Sequence, residues 1–432
     1  MKKLIASVLL LMPALLPAQE KLSLQQAVET GLKNNYDVRI AKNNAEQSAN
    51  NATLGNAGAL PQLNLGLTQT NSVNDTKQKY ASGAEVNKNG AASNSLAGTA
   101  ALSWTIFDGF KMFATYSRLK ELEDAGQLQA RQMMENTVSQ IIVAYYDIIK
   151  QQALLAVIDS SIKISDIKLT IAKTKFRIGS YSKTEYLQAQ VDKNADALLY
   201  KKQLLALSAA RVLLNRLLAR DVTVEFDAVD SITVNYNPTY QELMANAAKN
   251  NVSLLLADKD IGIANYYIKE LQGERFPRLA LTGNYNYSKS TSQANFVLEN
   301  RTQGFNYGFT VTYNLFDGFN LNSRIKNAKL QADNRKIYYE AVKSTVNAET
   351  IIAYRTFQSN LDILKLEEEN AKLAQENVLL TLERYRVGTI DELQLKNAQQ
   401  SYTQAQTSLA TAKYNTKVAE TNLKLLTGEL IK

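Results

Sequence analysis

The sequence predicts a mainly α-helical protein with a β-barrel part, built from two similar halves. The tetrapeptide Phe-Asp-Gly-Phe at 107–110 recurs 209 positions later at 316–319. The five prolines leave 62–237 and 278–432 uninterrupted, which permits very long helices because an interior proline costs about 3 kcal/mol. Short segments in each half instead alternate apolar and polar residues, as β-strands do. The chain is therefore a tandem duplication of one structural unit.

The duplication follows two shifts. Arg-Ile-Gly-Ser at 177–180 returns as Arg-Val-Gly-Thr at 386–389, again 209 positions later, whereas Pro61 returns as Pro277, 216 positions later. The segment between Pro61 and Phe107 absorbs the difference, as expected of a loop that changes length.

Composition excludes several functions, because the chain contains no cysteine and no histidine. Thiol nucleophiles, disulfides, zinc sites with these ligands and histidine-based catalytic triads are impossible, and we expect no cofactor and no metal ion. The formal net charge of +8 is spread along the chain, whereas nucleic-acid binding requires a clustered basic surface. We therefore expect no nucleic-acid partner.

Residues 1–18 are predicted to be a secretory signal peptide. Lys2 and Lys3 precede an apolar run from 4 to 16, and the small residue Ala18 offers a cleavage site. The run is too short for an anchor helix, which needs about 20 apolar residues. No later stretch is expected to be a transmembrane helix, so membrane contact should be made by strands or at the surface.

Each half is predicted to open with a helix, at 23–57 and at 239–274. Ser23 and Thr239 each begin a capping box, with Gln or Glu three residues later. The predicted organisation is a first repeat at 19–220, a linking segment with small strands at 221–238, and a second repeat at 239–432.

A β-hairpin is predicted next in each half, at 61–107 and at 277–316. Along 305–315, for example, every odd-numbered residue is apolar and the others are Asn, Gly or Thr. Strands of about ten residues match tilted transmembrane strands, and the polar segments 71–95 and 288–302 are expected to be loops. The alternative is a soluble hairpin packed on a core. Because the rest of the chain is helical, the predicted apolar partner is membrane lipid.

Long helices are predicted after each hairpin. Apolar residues in the first recur every seven positions, which is typical of a coiled coil; they are Met134, Ile141, Ile148, Leu155, Ile162, Leu169 and Phe176. Such a helix is roughly 100 Å long. Gly179 and Gly388 then break the chain into antiparallel helical hairpins. The predicted helices are 110–178 and 183–219 in the first half, and 319–387 and 391–427 in the second.

Four transmembrane strands cannot close a barrel, and exposed strand edges are not tolerated in lipid. The smallest closed barrels need about eight strands, which two copies would supply, whereas three copies give twelve. Three copies also place twelve helices around an axis, enough for a lumen, and two give only a narrow bundle. We therefore predict a homotrimer.

A series of motifs occurs in order and twice. It comprises Ala27, Leu32, Asn34 and Asn35 in the opening helix, Leu-Pro-Gln-Leu at 60–63, Phe-Asp-Gly at 107–109 and the Arg-Ile-Gly-Ser break at 177–180. No single motif is specific, but the doubled series closely resembles the TolC-type outer-membrane efflux and secretion ducts over essentially all of the chain after residue 18. The resemblance implies a homotrimer with a 12-stranded outer-membrane β-barrel and a 12-helix periplasmic α-barrel.

By the same resemblance, the protein is expected to be the outer-membrane exit duct of a tripartite efflux pump or type I secretion system. The expected location is the cell outer membrane, with an extension into the periplasm. The implied partners are a periplasmic adaptor (membrane fusion) protein and an inner-membrane RND or ABC transporter, which supplies the energy. No nucleotide-binding loop is visible in the sequence, so the duct itself is expected to be passive.

The resemblance also implies that both hairpin tips dock the adaptor. The implied docking residues are Arg177, Ile178, Gly179 and Ser180, with Arg386, Val387, Gly388 and Thr389. A purely structural role is the alternative, since each glycine permits a left-handed turn and each arginine can cap helix carbonyls.

A periplasmic gate or constriction is implied as well, at Thr184, Glu185, Tyr385, Gln394 and Asn397. Gln394 and Asn397 stand where the family often places an acidic pair, and Ile390 stands in place of an arginine of the lock. A ring of carboxylates would select cations strongly in a narrow lumen, whereas amides would not. The nearby Asp391 and Glu392 either replace part of that charge or are solvated on the helix surface.

Two other classes of protein compete with a duct. A secreted coiled-coil structural protein would explain the long helices and the signal peptide, but not two lipid-facing hairpins. An enzyme would have to use carboxylate or lysine chemistry, and the sequence has no convergent signature for it.

Overall fold

The computed structural model describes residues 20–431, so the predicted signal peptide at 1–18 lies outside the described residues. The elements are β1 (Glu20–Leu22), α1 (Leu24–Asn34), α2 (Tyr36–Asn51), β2 (Gln62–Lys79), β3 (Glu85–Phe107), α3 (Lys111–Arg177), α4 (Lys183–Leu217), β4 (Phe226–Ala228), α5 (Tyr240–Asn250), α6 (Val252–Gly273), β5 (Arg278–Ser292), β6 (Glu299–Thr312), α7 (Asn320–Arg386) and α8 (Glu392–Leu426).

Two compact units divide the described chain. One unit comprises Asn43–Gln129 and Leu255–Val342, and the other comprises the rest. The first of these, the sheet unit, contains all four long strands. The second, the hairpin unit, contains α4, α5 and α8 and most of α3 and α7.

The sheet unit is built on one antiparallel sheet in the order β2-β3-β5-β6. β2 and β6 are its edges, so the barrel is not closed in a single chain. The strands have 18, 23, 15 and 14 residues, and are longer than predicted. The segments 71–95 and 288–302, which we expected to be loops, are largely strand. In the first hairpin, backbone pairing continues through the polar segment to Lys79 opposite Glu85, with one register shift between Asn74 and Thr76.

The apolar side chains of the edge strands are exposed in the single chain. Leu65 is 81% exposed and Tyr307 is 82% exposed. An apolar surface of this extent marks contact with lipid or with another protein surface.

Each hairpin passes into its long helix through a turn that is capped by the aspartate of the Phe-Asp-Gly motif. The Asp108 carboxylate accepts the Met112 N–H at 3.0 Å, and Asp317 accepts the Leu321 N–H at 2.7 Å. Gly109 has φ +72°, and a Cβ there would lie 2.2 Å from the Gly273 carbonyl oxygen. Glycine is therefore required at this junction for both conformation and space.

The prediction of single helices at 23–57 and 239–274 is wrong, because each segment forms two helices separated at an asparagine. The Asn35 side chain accepts the Val38 N–H at 3.2 Å and donates to the Leu217 carbonyl at 2.8 Å. Asn251 repeats this with Leu254 at 3.3 Å and the Leu426 carbonyl at 3.0 Å. Each asparagine thus caps the following helix and ties it to the end of a hairpin.

The predicted long helices are present, with 67 residues in both α3 and α7, and the hairpin unit contains most of each. Its largest core cluster contains Ile141, Tyr145, Ile148, Leu214 and Phe226. Contrary to the sequence expectation, one helix, α3, has an 18-residue window of mean hydropathy 1.5 that meets the length and composition of a membrane span. One third of this window is buried in the described chain, and α3 contributes the fully buried Ile141 and Ile148 to the core.

Only part of the linking segment is strand. β4 lies within it and pairs in parallel with β1 at the start of the described chain, with Lys21 opposite Asp227. The rest of 221–238 has no strand, so the prediction of several small strands is wrong.

Candidate functional site

The two hairpin tips are alike in backbone structure. Gly179 has φ +79° and Gly388 has φ +80°, and no other atom lies within 4 Å of a Cβ added to either. Ser180 N donates to the Lys175 carbonyl at 2.8 Å, and Thr389 N donates to the Arg384 carbonyl at 3.0 Å. These are helix C-terminal turns in which a left-handed residue satisfies the last carbonyls. Glycine is needed here for its conformation rather than for space.

Every residue predicted to dock a partner is exposed on these turns. Ile178 is 70% exposed and Val387 is 73% exposed, although both are branched aliphatic residues. The Arg386 guanidinium binds Glu383 at 2.7 Å. Each tip therefore presents an aliphatic side chain beside an arginine at the same position of the repeat.

Thr184 and Glu185, predicted to belong to the gate, lie exposed in the first turn of α4. The Glu185 carboxylate accepts the Ser182 N–H at 2.7 Å, and the Ser182 hydroxyl accepts the Glu185 N–H at 3.4 Å. This reciprocal pair is a capping box. The carboxylate therefore already has a structural partner in its own chain.

Tyr385, the third predicted gate residue, is fully buried. It belongs to an apolar cluster with Ile164, Val378 and Leu395, which come from α3, α7 and α8. Its hydroxyl has no hydrogen-bond partner in the described chain. Burial, with Tyr181 beside it, raises the pKa of Tyr385 above its ordinary value. At this position the hydroxyl is a neutral polar group that lies beside Tyr181 and makes no hydrogen bond within residues 20–431.

Gln394 and Asn397 are exposed on the first turns of α8. The neighbouring carboxylates are not free, since Asp391 accepts the Gln394 N–H at 2.8 Å as the helix N-cap. Glu392 lies 2.7 Å from the Lys168 ammonium. Within this chain, Asp391 and Glu392, the two acids considered as replacements for a carboxylate ring, are both engaged in local structure.

A buried charge cluster that the sequence did not predict lies further along these helices. The Lys168 side chain of α3 is 1% exposed, and its ammonium is 2.5 Å from Asp192 of α4 and 2.7 Å from Glu392 of α8. Lys396 binds the same Asp192 at 3.1 Å. Burial alone would raise the pKa of Asp192, but hydrogen bonds from Lys168, Lys396 and Gln188 outweigh it and hold the pKa below its ordinary value. The cluster joins three helices by ionic contacts.

Polar contacts continue along the same three helices. The buried Gln399 amide of α8 donates to the Ser161 hydroxyl at 2.7 Å and to the Ser165 hydroxyl at 2.9 Å. Ser165 in turn donates to Asp196 of α4 at 2.6 Å. Together with the charge cluster, these bonds hold α8 against the first hairpin.

In the second half, uncharged residues stand in place of the charged residues of the first half that form these contacts. The repeat counterparts of Lys168 and Asp192, 209 positions later, are Asn377 and Ser401, and the counterpart of Asp196 is Ala405. This difference between the halves was the only sequence signal for the cluster. Among residues 20–431, no group of three or more acidic side chains is arranged to hold a metal ion.

Comparison with known proteins gives consistent matches. The model of the outer membrane efflux protein family matches residues 27–220 and 243–429. The chain is 21% identical to the outer membrane efflux protein BepC of Brucella suis, over 99% of this chain and 91% of BepC. It is also 21% identical to the outer membrane protein TolC of Escherichia coli, over 94% of this chain and 82% of TolC.

The fold is similar to that of a solved outer-membrane channel, CmeC of Campylobacter jejuni. The TM-score is 0.79 at 17% identity, over 95% of this chain and 86% of CmeC. The alternative of a secreted coiled-coil structural protein has no support in these matches.

Proposed function

This chain belongs to the outer membrane efflux protein family, and from that premise we propose that it is the exit duct of a tripartite efflux pump or type I secretion system. Members of the family are efflux channels rather than enzymes. The chain is thus an efflux duct located in the outer membrane, with a periplasmic extension.

The sheet with two open edges is the observation that carries the duct. Its edge strands expose apolar side chains, and its polar side chains alternate with them. In lipid, backbone groups at a strand edge have no water to bind, so spanning sheets must close on themselves. Three copies of this sheet supply the twelve strands of a closed barrel, and we infer that the duct is a homotrimer.

The hairpin tips are the proposed docking surface for a periplasmic adaptor. Support comes from their shared backbone turn and from the exposure of Ile178 and Val387. An inner-membrane RND or ABC transporter would supply the energy through that adaptor.

The proposed gate lies beside the tips, at Thr184, Glu185, Tyr385, Gln394 and Asn397. Planar-bilayer conductance of the detergent-extracted protein, with its native mass measured in parallel, tests both the duct and the gate. We expect a trimer with a small, persistent conductance. Glu185→Gln should raise this conductance, because it removes the charge while a glutamine still fits the capping box.

Ser182→Ala is the matched control, since it weakens the same cap without changing the charge. It should leave the conductance unchanged. A wild-type trimer that is already widely open would overturn the gate but keep the duct. A soluble, rod-like particle without channel activity would overturn the duct.

A further inference from the structure

The shifts of 216 and 209 positions between the two halves map the strand pairs of the first hairpin onto those of the second. In the first hairpin, Gln62 lies opposite Ser103. The residues 216 and 209 positions later are Arg278 and Thr312, and these lie opposite each other in the second hairpin. The same mapping takes the pair Asn71 and Asn94 to Tyr287 and Gln303, which are also paired. Register is therefore a property of the repeat.

One junction joins the two hairpins inside the chain. β3 pairs with β5, with Ala101 opposite Asn284 and Leu102 opposite Gly283. The corresponding junction after the second hairpin would join β6 to a strand equivalent to β5. That strand is β2, and because β2 and β6 are the two edges of one sheet, it must come from another copy.

We propose that β6 of one copy pairs with β2 of the next in the register that joins β3 to β5. Applying the shifts to the in-chain pairs places Thr310 opposite Thr68 and Val311 opposite Leu67. This proposal rests on the proposed duct and names the partner of each open edge as a second copy of this chain. With this register, every junction between successive hairpins of the barrel has the same stagger. The stagger sets both the strand tilt and the barrel width.

The side-chain pattern agrees with this register. Residues directly opposite each other point to the same face of a sheet, so Val311 and Leu67 share the apolar face and Thr310 and Thr68 share the polar one. A slip of one residue would place Val311 opposite Thr68 and mix the two faces. A slip of two residues keeps the faces, so only a direct measurement distinguishes it.

Disulfide cross-linking measures the register directly, because the chain contains no cysteine. Opposed strand residues have Cα atoms about 4.5–5.5 Å apart, which a disulfide can span. Thr68→Cys with Thr310→Cys should therefore give covalent dimers and trimers after oxidation, seen on a denaturing gel. A bond within one chain is impossible, because three strand spacings of about 4.8 Å separate β2 from β6.

Matched pairs test neighbouring registers. Gly66→Cys or Thr70→Cys, each with Thr310→Cys, places the thiols diagonally about 7–8 Å apart, and should link at least several-fold less. Ala101→Cys with Asn284→Cys is the control for pairing geometry, and should form a bond without raising the mass. Leu67→Cys with Val311→Cys repeats the test on the apolar face, where it replaces the first pair if that pair disrupts assembly.

Each outcome either supports or overturns the proposed register or the trimer. Linking at Thr68 above its neighbours supports the proposed register. A trimer that links best through Gly66 or Thr70, or through none of these pairs, overturns the register and keeps the duct. A native mass of one chain, with only the in-chain control linking, overturns the trimer itself.

Discussion

Lys168 and Asp192 form an ion pair with an N–O distance of 2.5 Å, and the lysine side chain is 1% exposed. Burying a charge is unfavourable unless it is paired and hydrogen-bonded. Glu392 supplies the second partner of the lysine, 2.7 Å away, and it belongs to the other hairpin. The two hairpins of one chain are thus joined by charges that have little access to water.

Removing this lysine should destabilise the protein strongly. Lys168→Met keeps the length of the side chain but leaves Asp192 and Glu392 without their shared cation, which should cost about 3 kcal/mol. Thermal unfolding in detergent, followed by circular dichroism at 222 nm, measures the loss. Lys163→Met is the control, because its ion pair with Asp159 is exposed and should contribute nothing measurable. Equal melting temperatures for the two variants would contradict the structural role of the cluster.

Acid should remove the contribution of Asp192. Its pKa in the folded protein lies below the ordinary value of 3.8, so its ionised form stabilises the folded state. That stability is fully present above pH 3.8 and is lost as the pH falls through the folded pKa. The difference in melting temperature between wild type and Asp192→Asn should therefore be constant near neutral pH and shrink below pH 3.8. A difference that grows on acidification would reverse this assignment.

Alanine at Asn35 should destabilise the protein, whereas alanine at the adjacent Asn34 should not. Asn35→Ala removes the cap of α2 and the bond to the Leu217 carbonyl, at an expected cost of about 1–2 kcal/mol. Asn34→Ala is the control, since that side chain makes no hydrogen bond with any described residue. The comparison is made by thermal unfolding, and Asn251→Ala should repeat the result in the second half. If both Asn34 and Asn35 tolerate alanine equally, the break has another cause.

Two buried tyrosines should respond differently to loss of the hydroxyl. Tyr385→Phe removes a group without a partner in the described chain, and should leave the melting temperature unchanged or raise it. The Tyr145 hydroxyl lies 2.7 Å from an Asp230 oxygen, so Tyr145→Phe should lose about 1–2 kcal/mol. A comparable loss in Tyr385→Phe would mean that its hydroxyl is bonded in the assembled protein, either to the adjacent Tyr181 or to another copy.

The long helices could be predicted from the sequence almost to the residue. The predicted 110–178 is observed as Lys111–Arg177, because its signals are local: a capping aspartate, an unbroken heptad and a glycine at the end. The break at Asn35 could not be predicted in this way. Asparagine is permitted inside a helix, and the carbonyl that favours the break, Leu217, is distant in sequence and is brought there by the fold.

The candidate site likewise combines features that local sequence predicts with features that depend on the fold. The exposed tips follow from glycine in a left-handed turn, which the motif itself contains. The cluster of Lys168, Asp192 and Glu392 instead depends on three helices meeting, and charged residues are common on any helix surface. Only comparison of the halves, lysine at 168 against asparagine at 377, marked the position as unusual.

The open edges of the sheet have a consequence for how the protein matures. A lone chain carries two rows of unsatisfied backbone donors and acceptors, a template on which any extended polypeptide can aggregate. Insertion into lipid and association of the copies must therefore occur together, since neither a free sheet nor a free copy is stable there. The yield of mature protein should then rise more steeply than the supply of chains. Chaperones that hold the unassembled chain should matter most when chains are scarce.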